Sequence, residues 1–219
     1  MDVADRRELA RRALEGYVSG PTAPIEATAR ALAKLDGAAT AVLVEGVSDQ
    51  IAVETAAARR GRDLAAERVV VVPIGGAHAI ARFLTTTLGT GLRLAGLCDL
   101  HEEEIFRRGL AAARVGTPRT RADLERLGFY VCVEDLEDEL IRAVGTTDVE
   151  ALFASQGDLG SFRSLRSQPA WRGRELDAQM RRFLGSGASR KSRYARLLVE
   201  AATDRDTLPH PLAALLTAI

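Results

Sequence analysis

Four short apolar runs stand out in the middle of the chain: residues 40–45 (TAVLVE), 69–74 (VVVVPI), 93–99 (RLAGLCD) and 129–133 (FYVCV). They are rich in β-branched residues and too short for helices. They are continuous rather than alternating, which predicts strands buried on both faces. Between them lie segments with helical spacing, over residues 48–60 with Ser48 as N-cap, 77–88 entered through Gly75 and Gly76, 102–112, and 121–127. Strand and helix alternate four times, the pattern of an α/β fold with a parallel sheet flanked by helices.

The flanks are helical. Leu9, Ala13 and Tyr17 share one side of a first helix, residues 19–24 (SGPTAP) break it, and a second helix runs to about Leu35. After Asp135 the strand pattern stops. The rest reads as helices interrupted at Gly145, residues 157–160, Gly173 and residues 185–189. Residues 208–211 (LPHP) lead into a last apolar helix from Pro211 to Ile219, which either completes the core or forms a contact in a homodimer.

Composition narrows the class. With 47% hydrophobic and 27% charged residues in 219, the chain is globular rather than disordered. It has no apolar signal core at its N-terminus and no run near the roughly 20 residues of a membrane helix, so a cytoplasmic protein is expected. Cys98 and Cys132 lie in apolar runs with no C-x-x-C pair, which argues against a structural zinc site. The formal net charge of zero hides an asymmetry: residues 134–158 are acidic and residues 160–200 basic. Only Lys34 and Lys191 are lysines among 30 basic residues, which marks them for roles that arginine cannot fill.

The carboxylates carry the chemistry. In a wound parallel sheet, ligands bind beyond the carboxyl ends of the strands. Glu45 ends the first run, Asp99 the third, and Asp49 follows Glu45 by one helical turn. His101 and Glu102–Glu104 share the loop after Asp99. Acids gathered at one edge repel one another unless a cation lies among them, and an all-oxygen set suits Mg²⁺ or Mn²⁺. Asp49 and Glu102–Glu104 also suit the positive end of a helix dipole, which is the simpler account of Glu103 and Glu104. The Gly75-Gly76 turn either tightens the chain or offers amides to a phosphate.

Three stretches taken together, VLVEGVSDQIAVETAAARRG, VVPIGGAHAIARFL and RLAGLCDLHEEEIFRRGL, resemble the Toprim domain of OLD-family (overcoming lysogenization defect) nucleases. The resemblance covers roughly residues 40–140 and implies a Toprim-like α/β domain at 39–140. N-terminal helices would occupy 1–38 and a C-terminal helical region 141–219. It implies a divalent-metal-dependent nuclease that hydrolyses phosphodiesters of DNA or RNA, DNA ahead of RNA, with Glu45 and Asp99 catalytic and Glu45, Asp49 and Asp99 metal-binding. His101 stands where the family's Asp-x-Asp motif has its second acid, so His101 or Glu102 would complete the metal shell. Residues 189–202 resemble the segment in which OLD nucleases place a catalytic lysine, here Lys191. The ABC-type ATPase of OLD nucleases has no counterpart, since no Walker A motif occurs. The chain is expected either to stand alone or to borrow a separate ATPase.

Two other readings stay open. Arg163, Arg166, Arg190, Arg193 and Arg196 would grip a nucleic-acid backbone without base specificity, or else form a solvated surface balancing the acidic stretch. A catalytically degenerate Toprim module would bind nucleic acid or a partner ATPase without cleaving. A phosphate-ester hydrolase acting on a small nucleotide is the third alternative.

Overall fold

The computed structural model describes residues 3–87 and 90–219. Helices α1 (Val3–Ala13) and α2 (Ala23–Leu32) precede β1 (Thr40–Val44), α3 (Val47–Arg59) and β2 (Val69–Pro73). A short 3₁₀ turn, Ala77–Ala79, leads into α4 (Ile80–Thr87), then β3 (Arg93–Asp99). A second 3₁₀ turn, Leu100–Glu102, opens α5 (Glu103–Ala112), followed by α6 (Arg121–Arg126) and β4 (Phe129–Cys132). The remainder is helical: α7 (Leu136–Val144), α8 (Thr146–Ser155), α9 (Leu159–Ser167), α10 (Leu176–Leu184), α11 (Ala188–Asp204) and α12 (His210–Ala218).

The four strands make one parallel sheet in the order β2-β1-β3-β4. The chain steps outward from β1 to β2, then returns past β1 to lay down β3 and β4. The reversal falls between β1 and β3, so the crevice at their carboxyl ends is the topological switch point where α/β sheets bind ligands.

Each face of the sheet is covered. Val42, Val44, Val69, Val71, Ala95 and Leu97 point to the side packed by α3, α7 and the C-terminal helices. Ala41, Leu43, Val72, Cys98, Phe129 and Val131 point to the side packed by α2, α4, α5 and α6. Such two-sided burial is why the strands are unbroken apolar runs. Gly96 marks the tightest point: a Cβ there would lie 2.5 Å from the Leu43 carbonyl oxygen and 3.0 Å from the Phe129 ring.

The C-terminal helices belong to the same core as the sheet. Phe153 anchors an aromatic cluster, with ring centroids 4.9 Å from Phe162, 5.0 Å from Phe183 and 5.1 Å from Tyr194, all in edge-on arrangements. Buried Asp158 accepts hydrogen bonds from Arg193 and from the Tyr194 hydroxyl, tying the α8–α9 junction to α11. Leu212, Leu215 and Leu216 of α12 are buried against the sheet, so the last helix completes the core.

Several boundaries move. The first helix stops at Ala13, short of Tyr17, and the second at Leu32 rather than Leu35. The helix after β1 starts one residue before Ser48: Gly46 is the N-cap, and the Asp49 carboxylate reaches back to accept its amide at 2.9 Å. That bond puts the cap before Ser48, which lies in the first turn. The segments at 77–88 and 102–112 both enter through 3₁₀ turns, and Leu88 lies outside the described residues. Gly160 sits inside α9 rather than breaking it.

Candidate metal centre

β1 and β3 are neighbours, with Leu43 paired to Gly96, so the residues that follow them emerge side by side. Glu45 leaves the tip of β1, Asp99 ends β3, and Glu102 ends the 3₁₀ turn after it. One carboxylate oxygen from each lies within 4.8 Å of the others. The Glu102 Oε2 atom is buried and has no hydrogen-bond partner. An orphaned acceptor of this kind is costly unless a ligand satisfies it.

The backbone holds this geometry. Gly75 and Gly76 have φ of 76° and 106°, a region that disfavours side chains, and both amides donate to the Glu45 carbonyl at 3.0 and 3.2 Å. The glycine turn therefore fixes Glu45, and those two amides are not free for a phosphate.

Electrostatics show the strain of gathering acids. Burial, then Asp49, Asp135 and Glu45, push Asp99 from 3.8 up to about 8. Burial and Asp49 raise Glu45, with Lys191 pulling the other way. Burial and Glu45 raise Glu102, opposed by the amides of Asp99 and Ala77. Asp49, 8% exposed, is raised by burial and held down in part by Lys191 and by the Gly46 amide. Each shift reflects a charged form disfavoured by neighbours of like sign in a dry site. A divalent cation would reverse that balance, and three hard oxygen donors suit Mg²⁺ or Mn²⁺.

Lys191 extends from the first turn of α11 toward the same acids. Its Nζ lies 3.3 Å from Glu137, whose side chain is 6% exposed. Burial works against its charge, but Glu137, Asp49 and Glu45 outweigh it and raise Lys191 overall. Glu137 itself is pushed by burial to about 7, with Lys191 opposing.

The other expected site residues are distributed differently. His101, whose side chain is 75% exposed, faces Glu134 at 3.8 Å and is not part of the three-carboxylate group. Arg193 is buried, 7% exposed, in its ion pair with Asp158, and so is closed to a phosphate backbone. Arg190 stacks on Phe183 with its guanidinium carbon 4.1 Å from the ring centroid, Arg196 pairs with Glu200 at 2.9 Å, and Arg166 pairs with Glu150 at 3.0 Å. Arg163 is exposed and has no ion-pair partner among the described residues.

Residues 134–137 were not anticipated. Asp135 lies beyond the tip of β4, accepts the Asp138 amide at 2.8 Å, and is held by Arg181 Nε at 2.6 Å. Its charge reaches Asp99, Glu45 and Asp49. The signal was present: a fourth buried run ends in acids, as the first and third do.

Residues 38–100 match the family model described as overcoming lysogenization defect protein-like, TOPRIM domain. No curated protein sequence matches the chain. Among solved structures, the C-terminal region of the Xanthomonas campestris pv. campestris OLD protein superposes with a TM-score of 0.61 at 20% identity, covering 85% of this chain and 94% of that one. The corresponding region of the Burkholderia pseudomallei OLD protein gives a TM-score of 0.57 at 19% identity, covering 83% and 96%. Residues 38–100 are thus an OLD-like Toprim domain, set in a chain with the fold of OLD C-terminal regions.

Proposed function

We propose that the protein is a divalent-metal-dependent nuclease of the OLD-type Toprim class. The observation that carries this reading is the group formed by Glu45, Asp99 and Glu102 at the switch point, with a buried, unpartnered Glu102 oxygen among them. These three would hold Mg²⁺ or Mn²⁺, with Glu102 rather than His101, of the two residues expected there, completing the shell. When bound, the cation would neutralise charge developing on a phosphodiester.

The chain's own residues supply the rest. Asp49 holds Glu45's neighbourhood in register through its bond to the Gly46 amide. Lys191 places a cation beside the acids, suited to stabilising negative charge on a phosphoryl group. Glu137 keeps that lysine charged and oriented. DNA is the favoured substrate, and a separate ATPase the favoured partner, both by analogy with the OLD proteins this fold resembles.

The test pairs calorimetric titration of Mn²⁺ and Mg²⁺ with nicking of supercoiled plasmid and cleavage of RNA. Wild type is expected to bind metal and cut, and Glu45→Gln and Asp99→Asn to do neither. The exposed His101 in place of a motif acid favours a second reading, a catalytically degenerate module that binds nucleic acid or a partner ATPase without cleaving. Metal binding with no cleavage of either polymer would select it.

A further inference from the structure

A cavity lies away from the carboxylates, along the outer edge of β2 between α2 and α3, with a volume of about 650 Å³. This is within the range of pockets that enclose nucleotide-sized ligands. Its walls also carry Asp36, Asp63, Arg62 and Arg68, and three kinds of group among the rest offer bonds to a ligand.

The first is a pair of cations. Arg30 lies in the last turn of α2 and Lys34 just beyond the helix end, both exposed, and neither side chain has an ion pair or hydrogen bond among the described residues. Both line the cavity, so they place two positive charges on its wall. Lys34 is one of only two lysines in the chain.

The second is a polar floor on α3. Gln50 donates to Glu54 at 3.0 Å, and Tyr17 lines the same wall. A half-buried carboxylate and amide together can accept from and donate to hydroxyl or amine groups.

The third is the strand edge. Thr40 donates to Arg68 and Ile74 donates to Val44, so alternate residues of β2 bond inward to β1 and Val69, Val71 and Pro73 direct their backbone groups outward. Val69 donates to Leu64, and the Pro73 carbonyl accepts from Thr28. The Val71 amide and carbonyl, between them, have no partner outside the sheet among the described residues. An adjacent donor and acceptor on a strand edge match the hydrogen-bonding edge of a nucleobase.

We infer that this cavity binds a nucleoside phosphate, with Arg30 and Lys34 taking the phosphate and the β2 edge with Gln50 and Glu54 taking the base and sugar. The site is separate from the carboxylate centre and does not depend on the nuclease reading. Calorimetric titration in EDTA, with adenine, guanine, cytosine and uracil nucleoside 5′-monophosphates, tests it. At least one nucleotide is expected to bind about tenfold or more tighter than its nucleoside or inorganic phosphate. The Arg30→Ala/Lys34→Ala double variant changes only exposed side chains and is expected to lose that affinity by about tenfold, while Asp99→Asn keeps it. Absence of nucleotide binding below millimolar concentration would overturn the inference. So would phosphate binding as well as the nucleotides, affinity unchanged in the double variant, or affinity lost in Asp99→Asn.

Discussion

Asp99→Asn should make the metal-free protein more stable while removing its hold on a cation. Asp99 sits at about 8 against an ordinary 3.8 because burial and four neighbouring acids disfavour its charge. Between those values the folded chain retains a proton that the unfolded chain has released. The stability tied to this group is therefore fully present below about pH 4 and is lost as pH rises to about 8. At about pH 7.5 the penalty relative to a neutral side chain is at most roughly 5 kcal/mol, taking about 1.4 kcal/mol per pH unit above 3.8. Partial contact with water and relaxation of the cluster reduce this, and a gain of about 1–3 kcal/mol is expected for the amide. At about pH 5 the same reckoning leaves at most roughly 1.6 kcal/mol, so the advantage should shrink on acidification. Urea unfolding of both proteins in EDTA at the two pH values measures it, and comparing variant with wild type cancels the titration of unrelated groups. Adding Mn²⁺ should stabilise wild type and leave the variant unmoved. A variant no more stable than wild type at neutral pH, or a gap that is the same at both pH values, would refute the reasoning.

Other expectations follow from single contacts. Glu102→Gln should weaken Mn²⁺ binding by tenfold or more in calorimetry, whereas His101→Ala should leave it within about twofold, because Glu102 and not His101 joins the carboxylate group. Lys191→Met should cost about 1–3 kcal/mol in urea unfolding, since it strands the buried Glu137, and the Lys191→Met/Glu137→Leu double variant should recover most of that loss. Gly96→Ala should lower stability by about 1–3 kcal/mol or more, because its Cβ would press on the Leu43 carbonyl oxygen, and thermal unfolding reads this directly.

Where hydrophobic burial set the pattern, the sequence was readable. All four strands fall where the apolar runs lie, and the tips of β1 and β3 are adjacent because a parallel sheet with a switch point puts them there. The short 3₁₀ turns before α4 and α5 were not readable, because local propensity does not distinguish them from the first turn of a helix. The role of Glu102 over His101 depends on that turn, which directs the acid inward and the imidazole to solvent. Arg193 and Asp158 are 35 residues apart, and no short-range signal links them. In a stretch with ten basic residues, the one arginine drawn into the interior looks like its surface neighbours until the fold is known.

Helix α11 lies along α3, and their facing side chains share one dry interface that includes Ile51, Ala52, Ala195, Leu198 and Val199. Lys191 and Asp49 ride on these two packed rods. Glu102 stands on a short 3₁₀ turn whose three residues are none of them buried. Amide hydrogen exchange should reveal the division, with α3 and α11 protected together and the turn at 100–102 opening far sooner. The centre would then be a fixed wall facing a hinged one, with entry and exit governed by the looser side.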